Sequence, residues 1–228
     1  MKRIGVVVGL NQHRHVAIHR SYVDAVLNAG GSPVLLAALE GTVDRLDVLL
    51  SGLDGILLAG GGDIDPVLYG QKPVATLDGL DPARDEVESA IIERARQRSI
   101  RILAICRGAQ LIAGLHGGTL IQDLPSAGYS GHRAQGVADG YASVGHPLTT
   151  KQGSLARRLL GSSLTVNSHH HQGIADPGRG IEATGWSEDG LIEVIEAEQL
   201  LGVQWHPERM TGQGSDRQSA LFEWLIGE

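Results

Sequence analysis

The chain carries a single cysteine, Cys106, inside the run Ile102-Leu-Ala-Ile-Cys-Arg-Gly-Ala-Gln-Leu-Ile-Ala-Gly114. Small and branched apolar residues lead into it. A glycine and a helix-like apolar pattern follow. That order reads as a strand ending at a sharp turn, with a helix starting at once. A sulfur placed there lies over a helix N-terminus, whose dipole and unpaired N–H groups favour the thiolate, the nucleophilic form. The geometry is that of a nucleophile elbow with sulfur in place of a serine hydroxyl. A second run, Gly202-Val-Gln-Trp-His-Pro-Glu208, ends another apolar stretch. It presents an imidazole, His206, and a carboxylate, Glu208, with Pro207 stiffening the backbone between them. A thiol needs a base to take its proton, and the base needs an acceptor that orients its other ring nitrogen. Cys106, His206 and Glu208 supply one of each.

Strands and helices must position these groups. Arg3–Gly9, Pro33–Ala37, Gly55–Ala59 and Arg101–Ile105 read as buried strands. Ser21–Ala29, Val43–Leu50 and Asp85–Arg98 read as helices between them, with Thr42 as the cap of the second and acidic residues opening the third. Alternation of this kind implies parallel strands with crossover helices, an α/β sandwich. In the second half, Thr119–Gln122, Leu164–Asn167, Ile181–Thr184, Leu191–Ile195 and Leu201–Trp205 read as strands joined by short turns. Gln218–Ile226 closes the chain as a helix. The expectation is one domain over residues 1–228. Its sheet is mostly parallel and flanked by helices, with added antiparallel strands in the C-terminal half. Sites in open α/β sheets form beyond the carboxyl ends of strands. Gly60–Asp65, Cys106 and His206 all fall just after apolar strand runs.

Composition narrows the function classes. A chain of 228 residues buries a substantial core without disulfides, and one cysteine cannot form an internal one. That usage fits a reducing compartment, and the cytoplasm is the expected location. The apolar run after Met1-Lys-Arg is too short for a signal peptide, and no segment is long enough to span a membrane. A formal net charge of −7 without a basic cluster argues against nucleic acid as a partner.

Other features carry less. Gly60-Gly-Gly62 lacks both the Gly-Lys-Ser/Thr of a phosphate loop and the third glycine of a dinucleotide fingerprint. It serves better as a backbone donor near the sulfur, since acyl transfer from an amide develops an oxyanion that needs two donors. The second donor is the N–H of Arg107, the residue after the nucleophile. Asp63 and Asp65 read as turn-forming residues. Three adjacent histidines, His169-His170-His171, cannot all face one ligand from an extended chain, so no metal is expected there. His13, His15, His19, His116, His132 and His146 are scattered, and their spacing assigns them no role.

Together these motifs resemble the class I glutamine amidotransferase-like superfamily. Within it they are most similar to the stand-alone γ-glutamyl hydrolases of the γ-glutamyl-γ-aminobutyrate hydrolase type, peptidase family C26. The likeness covers nearly the whole chain. It runs through Tyr22-Val-Asp-Ala-Val, Asp54-Gly-Ile-Leu-Leu-Ala-Gly-Gly-Gly-Asp-Ile-Asp-Pro66, Asp81-Pro-Ala-Arg-Asp85, Ile105-Cys-Arg-Gly-Ala-Gln110, Val166-Asn-Ser-His-His-His-Gln172 and Gly202 to Glu208. The resemblance implies a flavodoxin-like fold with Cys106 as nucleophile, His206 as general base and acid, and Glu208 as orienting carboxylate. It implies Gly61 and the Arg107 N–H as oxyanion donors. Gln110, the Ser168–His169 backbone and His170 would then contact the γ-glutamyl group, and His169 stands where the family has an apolar residue. No cofactor is implied. The expected partner is a small γ-glutamyl amide, and a homodimer is compatible with the reading. Two rivals remain: a glutaminase subunit passing ammonia to a separate synthetase, and a binding protein that has lost the chemistry.

Overall fold

Five parallel strands bring the predicted active residues to one end of the sheet. The computed structural model describes residues 1–11, 13–133, 144–211 and 216–227. The first strands are β1 (Arg3–Val8), β2 (Ser32–Ala37), β3 (Gly55–Leu58) and β4 (Arg101–Ile105). Between and after them come α1 (Arg20–Asn28), α2 (Leu46–Leu49), α3 (Pro82–Gln97) and α4 (Arg107–Leu115). The second half holds β5 (Thr119–Ile121), β6 (Val144–Thr150), α5 (Leu155–Leu160) and β7 (Ser163–Ser168). It continues through β8 (Gly173–Asp176), β9 (Glu182–Ser187), β10 (Ile192–Ala197), β11 (Leu200–Val203) and α6 (Asp216–Ile226).

The strands form one sheet in the order β2-β1-β3-β4-β11-β10-β9-β6-β7, with β8 joining β5 and β10 beside it. Pairing is parallel from β2 to β11 and antiparallel from β11 onward. This is the expected mostly parallel centre with antiparallel additions. Side chains alternate faces along each parallel strand. Ile4, Val6 and Val8 join one apolar cluster with α1, α5 and α6, while Val7 joins the other with α2, α3 and α4. Both faces are covered, which is why these strands read as continuous apolar runs.

Two local readings need correction, and two strands were not anticipated. The segment read as helix Val43–Leu50 is a 3-10 turn over Val43–Arg45 followed by the short α2. Thr42 does not cap it with its side chain; its hydroxyl donates to Ala37 O and accepts from Leu39 N. β6 was not anticipated because Gly145 and Pro147 look like a turn. Pro147 is tolerated because β6 pairs with β7 there, whereas its pairing with β9 covers only Leu148–Thr150. β8 is four residues long and too short to show a pattern.

Candidate active site

Cys106 sits between β4 and α4 with φ 52° and ψ −106°, a left-handed conformation that costs a non-glycine residue about 1–3 kcal/mol. The turn is held because the Cys106 N–H donates to Val203 O at 2.7 Å, tying it to β11. Gly108 lets α4 start this close to β3: a Cβ there would meet Leu58 Cβ at 2.8 Å and its carbonyl oxygen at 2.9 Å. The sulfur is buried, and Gln204 Nε2 reaches it at 3.5 Å.

His206 follows β11 and lines the same cleft as Cys106. Its Nδ1 is 2.8 Å from Glu208 Oε1, so Nε2 is the nitrogen left for the sulfur. Tyr22 Oη lies 3.2 Å from the same Nδ1 and accepts the Gly60 N–H at 3.0 Å. Asn167 clamps the backbone: its Nδ2 donates to His206 O and its Oδ1 accepts from His206 N, both at 2.8 Å. The Trp205 indole, fully buried, donates to Gln218 of α6 at 3.0 Å and fixes the strand end.

The two reacting side chains tune one another. Burial alone would push the Cys106 thiol up. The His206 charge and hydrogen bond, the His170 charge and the Arg107 N–H outweigh it and hold the thiol below its ordinary value. Burial alone would push the His206 imidazole down. Glu208 and Cys106, by charge and by hydrogen bond, outweigh it and raise it to about 10. Both shifts run in the same direction, favouring the thiolate and the imidazolium over the neutral pair.

The glycine loop supplies a fixed donor. Arg84 on α3 donates through Nη2 to Ala59 O at 2.8 Å and to Gly60 O at 3.2 Å. In a planar trans peptide the N–H points opposite to the C=O. Holding the Gly60 carbonyl on α3 therefore turns the Gly61 N–H to the other side, and among the described residues nothing accepts it. No side chain fits in the loop: a Cβ at Gly60 would meet His206 Cε1 at 2.7 Å, and one at Gly61 would meet Arg84 Nη1 at 2.4 Å. Arg107 contributes only its backbone here. Its side chain runs back into the protein and pairs with Asp85 and Glu88, and Glu88 also accepts from Arg84 Nε at 2.8 Å.

These groups line a cleft of about 430 Å³ at the carboxyl ends of β1, β3, β4 and β11. Gln110 faces it, with Nε2 donating to Gln172 O and Gln204 Oε1, each at 3.2 Å. His169 lines it as well, and burial with the nearby His206, Arg209, Arg133 and His170 charges lowers its pKa to about 4. Ser168 is fully buried and turns its hydroxyl away, donating to His132 O at 2.9 Å. His170 borders the cleft, but its Nε2 faces Glu193 at 3.6 Å. Asp63 does more than shape a turn: it pairs with His171 at 2.9 Å on the cleft wall. Asp65 caps the following 3-10 turn, as its sequence context suggests.

The sequence did not single out Tyr22, Arg84 or Asn167 for a role. Each lies in a quoted motif, yet each acts on a backbone atom or ring brought close only by the strand order.

Known proteins resemble the chain in sequence and in fold. The peptidase C26 family pattern matches residues 5–208. The Escherichia coli K12 γ-glutamyl-γ-aminobutyrate hydrolase PuuD is 37% identical over 220 residues, covering 90% of this chain and 85% of that protein. Rv2859c of Mycobacterium tuberculosis, named only provisionally as a glutamine amidotransferase, is 38% identical over 193 residues. That match covers 82% of this chain and 61% of the relative, so the chain spans less than two thirds of its length. The glutaminase domain of Trypanosoma brucei CTPS, solved with bound acivicin, superposes with a TM-score of 0.69 at 14% identity, over 99% of this chain and 93% of that one. A Thermotoga maritima glutamine amidotransferase does so with a TM-score of 0.64 at 15% identity, over 100% and 99%. These two establish the fold as that of class I glutamine amidotransferases.

Proposed function

Because the chain belongs to the peptidase C26 family, we propose that it hydrolyses the γ-glutamyl amide bond of a small γ-glutamyl amine. The observation that carries this is Cys106 at the strained turn into α4, in one cleft with a His206 oriented by Glu208 and with the backbone donors of Gly61 and Arg107. Cys106 Sγ attacks the γ-carbonyl carbon, and the electron pair of the C=O moves to oxygen. The Gly61 and Arg107 N–H groups take that oxyanion, and removing one such donor typically costs about 10²–10³ in rate. As the intermediate collapses, the C–N bond breaks and His206 Nε2–H protonates the leaving amine. A γ-glutamyl thioester remains on Cys106. His206, now neutral, takes a proton from water. The hydroxide adds to the thioester, the C–S bond breaks, and glutamate leaves with the thiolate–imidazolium pair restored.

Gln110, His169 and the His171–Asp63 pair line the part of the cleft assigned here to the γ-glutamyl group. In this reading the leaving group is a small amine such as γ-aminobutyrate or a polyamine, and the kinship to the γ-glutamyl-γ-aminobutyrate hydrolase PuuD supports a role in γ-glutamylated amine breakdown. A resting thiolate is easily oxidised, so a reducing cytoplasm suits it. Rapid quenching followed by intact mass measurement tests the mechanism: a γ-glutamyl adduct on Cys106 is expected, and its absence during turnover would refute covalent catalysis.

A second reading has one observation behind it. Several relatives are named as glutamine amidotransferases, and a glutaminase subunit would use the same thioester to release ammonia to a synthetase.

A further inference from the structure

Behind the cleft wall, four side chains point ligand atoms at one spot. They are His132, His146 on β6, His170 between β7 and β8, and Glu193 on β10. Their ligand atoms all lie within 4.8 Å of one another. Glu193, His132 and His170 are 1%, 4% and 5% exposed, and the His146 side chain is 12% exposed.

The hydrogen-bond pattern sorts the nitrogens. His146 Nδ1 lies 3.1 Å from Pro147 O, and His170 Nδ1 lies 2.8 Å from Gln172 O. A carbonyl can only accept, so both Nδ1 atoms carry a hydrogen, and in the neutral rings that bind a metal ion both Nε2 atoms carry the lone pair. His132 Nε2 lies 2.9 Å from Asp189 Oδ2, which leaves the lone pair on Nδ1. Ser168 Oγ commits its proton to His132 O at 2.9 Å and cannot offer it to that Nδ1. Each imidazole is thus held from outside by an acceptor, the arrangement that orients metal-binding histidines.

What remains inside is a set of acceptors facing acceptors. Glu193 Oε1 sits 3.6 Å from His132 Nδ1, 3.5 Å from His146 Nε2 and 3.6 Å from His170 Nε2. Both Glu193 oxygens and the His146 and His170 Nε2 atoms are buried without a hydrogen-bond partner. Such groups cost free energy unless a cation lies among them. The three separations exceed a hydrogen bond of about 2.7–3.2 Å. They come close to the edge of a tetrahedron with ligands at 2.0–2.1 Å, about 3.3–3.4 Å.

We propose that His132, His146, His170 and Glu193 bind one zinc-class divalent transition-metal ion in a closed, four-ligand site. Four protein ligands leave no open position, which makes the ion structural rather than catalytic. It ties β6 and β10 to the segments at His132 and His170. His170 N donates to His132 O at 3.0 Å, so the ion braces the Ser168–His169 wall of the cleft from behind. Of the three adjacent histidines only His170 takes part, and its partners come from distant segments.

The test is to strip the protein with a chelator and titrate it with Zn²⁺ and, separately, Co²⁺. Wild type, Cys106→Ala, Glu193→Gln and His146→Ala are compared. One equivalent per chain is expected in wild type and in Cys106→Ala, with the visible bands of tetrahedral Co²⁺ and no thiolate-to-metal charge-transfer band. Melting temperature should rise by about 5–10 °C at a hundredfold excess over Kd. Glu193→Gln and His146→Ala should lose the equivalent. Wild type that binds no equivalent overturns the proposal. So does a thiolate band, or binding that vanishes in Cys106→Ala and persists in Glu193→Gln, since either puts the ion at the catalytic sulfur. The wild-type spectrum decides even where a variant fails to fold.

Discussion

Arg84 holds the Gly60 carbonyl at 3.2 Å from the α3 side of the sheet and so decides where the next N–H points. Arg84 thereby aims one of the two N–H groups proposed to stabilise the oxyanion.

Replacing that guanidinium tests the link. Arg84→Met should lower kcat by about 10²-fold while KM changes little, because the donor is lost mainly in the transition state. It should also cost about 3–5 kcal/mol of stability, since the buried Glu88 loses a partner. Arg84→Lys keeps the charge but not the fork, and should recover stability more than rate. Steady-state kinetics with thermal melts separate the two effects. A folded Arg84→Met protein with full kcat would remove Arg84 from the account.

The ion pair predicts a pH profile. A lowered thiol pKa raises the thiolate fraction at any given pH, so Cys106 alkylation by iodoacetamide should have its midpoint below the ordinary thiol value of about 8.5. His206→Gln removes the cation that opposes burial, so the midpoint should move above that value. Activity should hold across neutral pH and fall on the alkaline side as His206, raised to about 10, loses its proton. An alkylation midpoint that ignores His206→Gln would contradict the pairing.

Tyr22→Phe removes one hydroxyl and keeps the ring in the core. The Gly60 N–H loses its acceptor and His206 Nδ1 loses a neighbour. An unmet buried donor costs about 1–3 kcal/mol. The loosened imidazole should lower kcat about 10- to 100-fold. Unchanged kinetics would mean that Glu208 alone orients His206.

Much of this site was legible in the chain because its chemistry sits where strands stop. Apolar runs into Cys106 and His206 announce their own termination, and the Gly60 run follows a third. The parallel centre followed for the same reason: strands buried on both faces, such as Ile4–Val8, leave a continuous apolar signature. Strand β6 did not, because Gly145 and Pro147 carry turn chemistry whatever their neighbours do. Tyr22, Arg84 and Asn167 escaped because their work is a contact across the sheet, set by strand order rather than local pattern. The His132, His146, His170 and Glu193 cluster is the extreme case, since its members are drawn from four separate segments and no spacing links them.

Glutamate release from a panel of γ-glutamyl amides, with glutamine included and Cys106→Ala as the blank, tests the central claim most directly. The account predicts that one γ-glutamyl amine is cleaved far faster than glutamine, and that Cys106→Ala abolishes the release while remaining folded. Release from glutamine alone, or only after a synthetase is added, would contradict the stand-alone hydrolase and support a glutaminase subunit in its place.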